Sequence, residues 1–145
     1  MKKIFTLFLA SFLLTGCMFG WGRVQVEIPT QEGLEEIIEI DSETYFEMIE
    51  SQETFLIYFY SQSCGGCLIF TPILEEFIKS ENMMIYNIDV GEEDLSNDQR
   101  TAYTPGIFAF EKGEKVIKID DMEDSDYFRS KEGFEGFIDR HIILR

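Results

Sequence analysis

The chain is poor in several things, and each shortage excludes something. It has three cysteines in 145 residues, too few for a small scaffold stapled by disulfides. It has one histidine, His141, so no His-rich metal cluster is available. Basic residues are scarce: 12 Lys and Arg stand against 28 Asp and Glu, a formal net charge of −16. That excess argues against nucleic acid as a partner and against electrostatic attachment to anionic lipid. The apolar run at the start, Ile4 to Leu14, is only about half the roughly 20 residues a spanning helix needs. What the chain does have is a globular composition, 45% hydrophobic and 28% charged, with 14 Phe to build a core. The length suits one domain.

The first residues read as an address. Met1-Lys2-Lys3 is a basic start, Ile4 to Leu14 a short apolar stretch, and small residues follow. That order describes a secretory signal. Leu14-Thr15-Gly16-Cys17 resembles the bacterial lipobox. The resemblance implies cleavage before Cys17, a signal peptide over 1–16, and a lipid on the Cys17 sulfur. Several acyl chains make a durable anchor where one does not. An uncleaved N-terminal helix or an ordinary signal are the alternatives. Cleavage removes Lys2 and Lys3 and no acid, leaving ten basic residues against 28 acids, a formal −18. Attachment to a membrane then has to come from the lipid. Residues 17–33, with Gly20, Gly22, Pro29 and Gly33, read as a lipidated tether with a short strand at Arg23–Ile28. Trp21 has two readings, a headgroup contact or the cap of a core edge.

The folded domain is expected over 34–145. Leu34 to Ile40 alternates as an edge strand does. Asp41 and Ser42 offer a helix cap. Thr54–Tyr60 (TFLIYFY) is a continuous apolar and aromatic run, the pattern of a strand buried on both faces. After Ser61-Gln62-Ser63, Phe70, Ile73, Leu74, Phe77 and Ile78 recur at helical spacing. Pro72 lies inside that helix and should kink it. Met83 to Val90 is a second buried strand, so the unit predicts a parallel crossover. Gly91 to Tyr103 reads as acidic and weakly helical. Gly106–Phe110 and Lys115–Ile119 predict an antiparallel hairpin. Asp120–Asp126, five acids in seven residues, reads as a solvated loop. Tyr127, Phe134, Phe137, Ile138 and Ile142 mark a terminal helix. The order predicts an α/β fold, a central mixed sheet with helices on both faces.

Cys64-Gly65-Gly66-Cys67 carries the chemistry and has three readings. A zinc half-site needs two further ligands. With Cys17 assigned to lipid, only His141 is left, and at i+4 from Phe137 it reads as a satisfied core-edge residue. An inert disulfide across so short a loop stabilises little. A redox pair has the right placement, after a central strand and in the first turn of a helix. There the thiolate is favoured by unmade backbone N–H groups. The two glycines leave Cys64 uncovered, while Cys67 is shielded behind it.

Together these residues resemble the thioredoxin superfamily. Tyr58–Cys67 (YFYSQSCGGC) is similar to its central strand, loop and active-site helix; Pro72 falls where that helix kinks. Tyr103–Glu114 (YTPGIFAFEKGE) is similar to its cis-proline loop and hairpin. The resemblance implies a dithiol–disulfide exchange enzyme with Cys64 and Cys67 catalytic, and no cofactor or metal. It implies a cis Thr104–Pro105 bond, with Thr104 and Pro105, beside Gly65 and Gly66, receiving an extended client by strand addition. Departures are plain: Ser63 replaces an aromatic residue, Gly66 a proline, and Tyr58 a buried acid. The missing acid leaves Tyr58 a hydrogen-bonding role, or leaves proton transfer to water. The negative charge, with no Lys, Arg or His near Cys64 in sequence, leans the pair toward reducing or isomerising its partners.

With the lipobox, these residues imply a membrane-anchored enzyme outside the cytoplasm, monomeric, exchanging disulfides with secreted or envelope proteins and reset by a membrane or extracytoplasmic redox partner. A thioredoxin-like peptide-binding module of bacteriocin export and a Cu(I)-delivery protein are the alternatives.

Overall fold

The structure, a computed structural model, describes residues 24–34 and 36–145. The expected signal peptide, Cys17 and Trp21 lie outside the described residues.

The elements follow in the order β1 (Val26–Ile28), β2 (Ile38–Glu39), α1 (Ser42–Glu50), β3 (Phe55–Tyr60), α2 (Gly65–Glu81) and β4 (Tyr86–Asp89). After these come β5 (Gly106–Glu111), β6 (Glu114–Asp120), α3 (Asp126–Arg129), α4 (Lys131–His141) and β7 (Ile142–Leu144). Five strands form one sheet in the order β2-β4-β3-β5-β6. β4 runs parallel to β3, joined by the α2 crossover, and β5 runs antiparallel to β3. The sheet is therefore mixed, with β3 at its centre.

The apolar run of β3 explains that position. Leu56 and Tyr58 project into a core shared with Phe70 and Leu74 of α2 and Phe134 and Phe137 of α4. Phe55, Ile57 and Phe59 project the other way, against Tyr45 and Met48 of α1. Alternate residues of one strand thus serve two cores, and helices cover both faces. Aromatic rings dominate the packing beneath α2: Phe70 meets Tyr58, Phe128 and Phe134 edge-on at 5.0–5.4 Å between centroids.

Local signals set the element ends. Asp41 caps α1 by accepting from the Thr44 N–H at 2.8 Å. Asn82 closes α2 in the left-handed region, and Ser130 caps α4 through the Gly133 N–H. α2 is one helix through Pro72. Lys112 and Gly113, both at positive φ, make the two-residue turn between β5 and β6.

Four expectations need correction. The edge strand foreseen over 34–40 is only the two residues of β2. Gly91–Tyr103 is not helical. Its polar side chains bind local backbone and one another instead: Asp89 Oδ1 takes the Gly91 N–H, Gln99 Oε1 takes the Ser96 N–H, and Ser96 Oγ donates to Asp98. The terminal helix stops at His141, because Ile142–Leu144 pair with β1 as β7. Finally, the domain starts before residue 34. Val26 and Ile28 are fully buried in the α2-side core, and Arg145 N donates to Ile28 O at 3.0 Å. Residues 26–33 of the expected tether thus include part of the fold. Among the described residues, no helix is long and apolar enough to cross a membrane.

Candidate active site

β3 ends at Tyr60, and the chain turns through Ser61–Ser63. The Cys64 N–H donates to Ser61 O at 3.0 Å, and the hydroxyls of Ser61 and Ser63 share a hydrogen bond at 3.1 Å. Gln62 Nε2 donates to Glu92 Oε1 at 2.9 Å, tying the loop to the segment after β4. These contacts bring Cys64 to the N-cap of α2 with extended backbone. Its Sγ accepts from the Cys67 N–H at 3.1 Å, in place of the oxygen of an ordinary cap. The sulfur therefore sits at the positive pole of a 17-residue helix.

The two sulfurs are joined as a disulfide, with the Cα atoms 5.2 Å apart. Cys67 is only 3% exposed, whereas Cys64 is half-buried and reachable. The Thr104–Pro105 bond is cis, and Cys64 Sγ lies 3.3 Å from Thr104 O. In the dithiol form, that oxygen is placed to accept from the Cys64 thiol. Gly66 backs onto the proline ring: a Cβ there would stand 2.9 Å from Pro105 Cδ. Gly65 faces open space. The structure thus brings Cys64, Gly66, Cys67, Thr104 and Pro105 into one cluster, with Gly65 on its open side.

Tyr58 lies on the α2 side of β3. It is fully buried, and its hydroxyl shares a hydrogen bond with Thr71 Oγ1 at 3.1 Å. Thr71 is one turn beyond Cys67 on α2. Burial pushes the Tyr58 hydroxyl up to about 12, partly offset by the bond to Thr71. It holds its proton throughout the range in which thiols titrate. It cannot replace the missing acid as a base.

Several neighbours were not legible as site residues. Tyr103, Leu68, Ile69 and Met122 are large apolar side chains left exposed. They lie beside Thr104, on the first turns of α2 and next to Asp121. Ile69, Gly66, Phe128, Asp121 and Arg129 line a groove of about 380 Å³. Asp120 was expected in a solvated loop. It is buried instead, and its Oδ1 accepts from the Met122 and Glu123 N–H groups. Asp89, at the end of β4, is also buried; its Oδ2 has no partner among the described residues. Three pairings in register explain why such residues converge: Tyr60 with Asp89, Phe59 with Gly106, and Gly106 with Asp120. Strand register is invisible without the fold.

Among the described residues no group of three or more His, Cys, Asp or Glu is placed to hold a metal. His141 packs on Phe137 with centroids 5.4 Å apart. Its Nδ1 is buried and has no hydrogen-bond partner among the described residues, where the sequence reading expects a satisfied one.

A helix-capping disulfide beside a cis-proline loop, on a sheet ordered this way, defines a thioredoxin-like site, and comparison with known proteins agrees. The family model described as Thioredoxin matches residues 36–132. The chain belongs to the thioredoxin family. A mutant thioredoxin from Halobacterium salinarum superposes with a TM-score of 0.58, at 20% identity over 77% of this chain and 95% of that one. A thioredoxin from Malassezia sympodialis gives 0.58 at 17% identity, over 74% and 95%. A Schizosaccharomyces pombe protein, assigned by name to the protein disulfide-isomerases, is 26% identical over 128 residues, which is 83% of this chain. The chain spans only about a quarter of that relative's length.

Proposed function

We propose that this protein is a lipid-anchored thiol–disulfide oxidoreductase working outside the cytoplasm on the disulfides of secreted or envelope proteins. One observation carries the chemistry: a reachable sulfur caps a helix, a shielded sulfur lies within bonding distance behind it, and the Thr104 carbonyl faces the first.

The cycle follows from that arrangement. In the reduced protein the Cys64 thiolate attacks one sulfur of a client disulfide. The client S–S bond breaks, and the leaving client thiolate takes a proton. A mixed disulfide joins Cys64 to the client, whose chain lies along the Thr104–Pro105 loop. The Cys67 thiol loses its proton and attacks Cys64 Sγ. The Cys64–Cys67 disulfide forms and the second client thiolate leaves. Two electrons pass from protein to client, and an extracytoplasmic dithiol partner returns them. Run backward, the same steps oxidise a client dithiol.

The anchor rests on the sequence Leu14-Thr15-Gly16-Cys17. β1 begins at Val26. Even fully extended, residues 18–25 reach less than about 30 Å. A lipid on Cys17 would hold β1 within about 30 Å of the bilayer.

Two experiments test the reading. Reduction of an insulin-type disulfide by the protein with a small dithiol should disappear in Cys64→Ala; unchanged turnover would refute the redox role. Cys17→Ser should move the protein from the membrane to the soluble fraction and abolish acyl labelling. Retention with full labelling would refute the anchor.

A further inference from the structure

Asp121 follows β6, and its N–H donates to Pro105 O at 3.0 Å. This bond pins the turn after β6 against the cis-proline loop. The carboxylate reaches back over the active-site helix. Asp121 Oδ2 is 3.4 Å from the point where a Cβ on Gly66 would stand. Gly66 lies between the two cysteines, in the first turn of α2. That turn carries no acid of its own. A carboxylate and the Cys64 sulfur therefore share one helix pole, and no ion pair to Asp121 is found among the described residues.

The surroundings do not cancel this charge. The cis-proline loop brings the neutral Thr104 and the phenol of Tyr103. In the loop before α2, Gln62 is bound to Glu92. Asp89, at the end of β4, spends one oxygen on the Gly91 N–H. Asp120 spends one on the turn that follows it. The one cation lining the groove is Arg129 of α3, which is exposed and forms no ion pair with Asp121. The other acids here add to the same sign.

We propose that Asp121 sets the direction of the pair: its carboxylate opposes the Cys64 thiolate, which destabilises the reduced form and biases the protein toward giving electrons. The proposal deepens the oxidoreductase reading and rests on it. A like charge near a thiol raises its pKa, and a disfavoured thiolate favours the disulfide. Asp121 acts through Cys64 and is a positioning residue, not a catalytic one. The bias exists only where Cys64 is ionised, because the protonated thiol does not sense the charge to first order.

The test measures two quantities on the domain within the full chain. The Cys64 pKa comes from thiolate ultraviolet absorbance, and the equilibrium constant of the pair from a glutathione series at several pH values. Asp121→Asn should lower the Cys64 pKa by about one unit. It should shift the equilibrium toward the dithiol by about tenfold above both thiol pKa values, about 30 mV for this couple, with a smaller change near neutrality and none in acid. Asp121→Glu, which keeps the charge, should stay close to native. Glu123→Gln, an equal charge change on an exposed neighbour, should move neither quantity by as much. Equal shifts in Asp121→Asn and Glu123→Gln, or no shift in either, would overturn the assignment. A native protein that never exchanges with glutathione would overturn the oxidoreductase reading itself, and is distinguishable on sight.

Discussion

Tyr58 and Thr71 share a hydrogen bond at 3.1 Å across the interface of β3 and α2, one helical turn beyond Cys67. The phenol is fully buried, and that burial pushes its pKa up to about 12. Its pKa is raised relative to the unfolded chain. The protonated form therefore favours folding, fully below about pH 10 and progressively less as pH rises toward 12. The loss amounts to about 1.4 kcal/mol per pH unit for one proton. In Tyr58→Phe this part of the alkaline slope should vanish, at a cost of about 1 kcal/mol at neutral pH for the lost bond. Urea unfolding from pH 7 to 11 measures both. The pH profile of client reduction should be unchanged near neutrality, since the phenol gives up no proton there.

Gly65 and Gly66 should answer differently to the same substitution. A Cβ on Gly65 meets nothing within 4 Å, whereas one on Gly66 presses on Pro105 Cδ at 2.9 Å. That ring is closed onto the backbone nitrogen, so it yields only if the cis-proline loop moves. Gly65→Ala should leave insulin-type disulfide reduction within about twofold. Gly66→Ala should slow it by roughly tenfold or more, because small displacements of a receiving surface are costly. Steady-state rates of the two variants decide it.

Gly106 holds the loop from the other side. A Cβ there would overlap the side chain of Thr101, which is fully buried and whose Oγ1 has no partner among the described residues. Gly106→Ala should destabilise the fold by about 1–3 kcal/mol through overpacking. The Thr101 Cβ itself would stand 2.6 Å from the new one, so adding Thr101→Gly, which removes that atom, should recover part of the loss, a coupling that a double-mutant cycle in urea reads directly.

β1 is short but belongs to the core. Ile28 is fully buried, and β1 pairs parallel with β7. Ile28→Ala should cost about 2–4 kcal/mol. Against a total stability of about 5–15 kcal/mol, that is a large shift in the urea midpoint. A midpoint equal to the native value would mean that the pairing of β1 with β7 is dispensable.

The legible parts of this protein were those written locally. The unbroken run Thr54–Tyr60, the apolar spacing from Phe70 to Ile78 and the Cys64–Cys67 spacing each point to one structure without help from distant residues. Thr104–Pro105 was legible through resemblance. A short strand was legible at Arg23–Ile28, but its pairing with β7 was not, because Ile142 continues the apolar spacing of the terminal helix. Gly91–Tyr103 misled because its acids suit a helix as well as a loop, and the Asx and Ser bonds that decide the matter depend on geometry. Asp121 hid in an acidic stretch that reads as solvated. Only the register of Gly106 with Asp120 turns the residue after that strand toward Gly66.

The central claim is that Cys64 attacks clients and Cys67 releases them. The most direct measurement is covalent trapping: Cys67→Ala and Cys64→Ala proteins, with Cys17 intact, are expressed in the native host and resolved on gels with and without reductant. Cys67→Ala should accumulate reductant-sensitive mixed disulfides with envelope or secreted proteins, and Cys64→Ala should accumulate none. Equal trapping by both, or trapping by Cys64→Ala alone, would contradict the account.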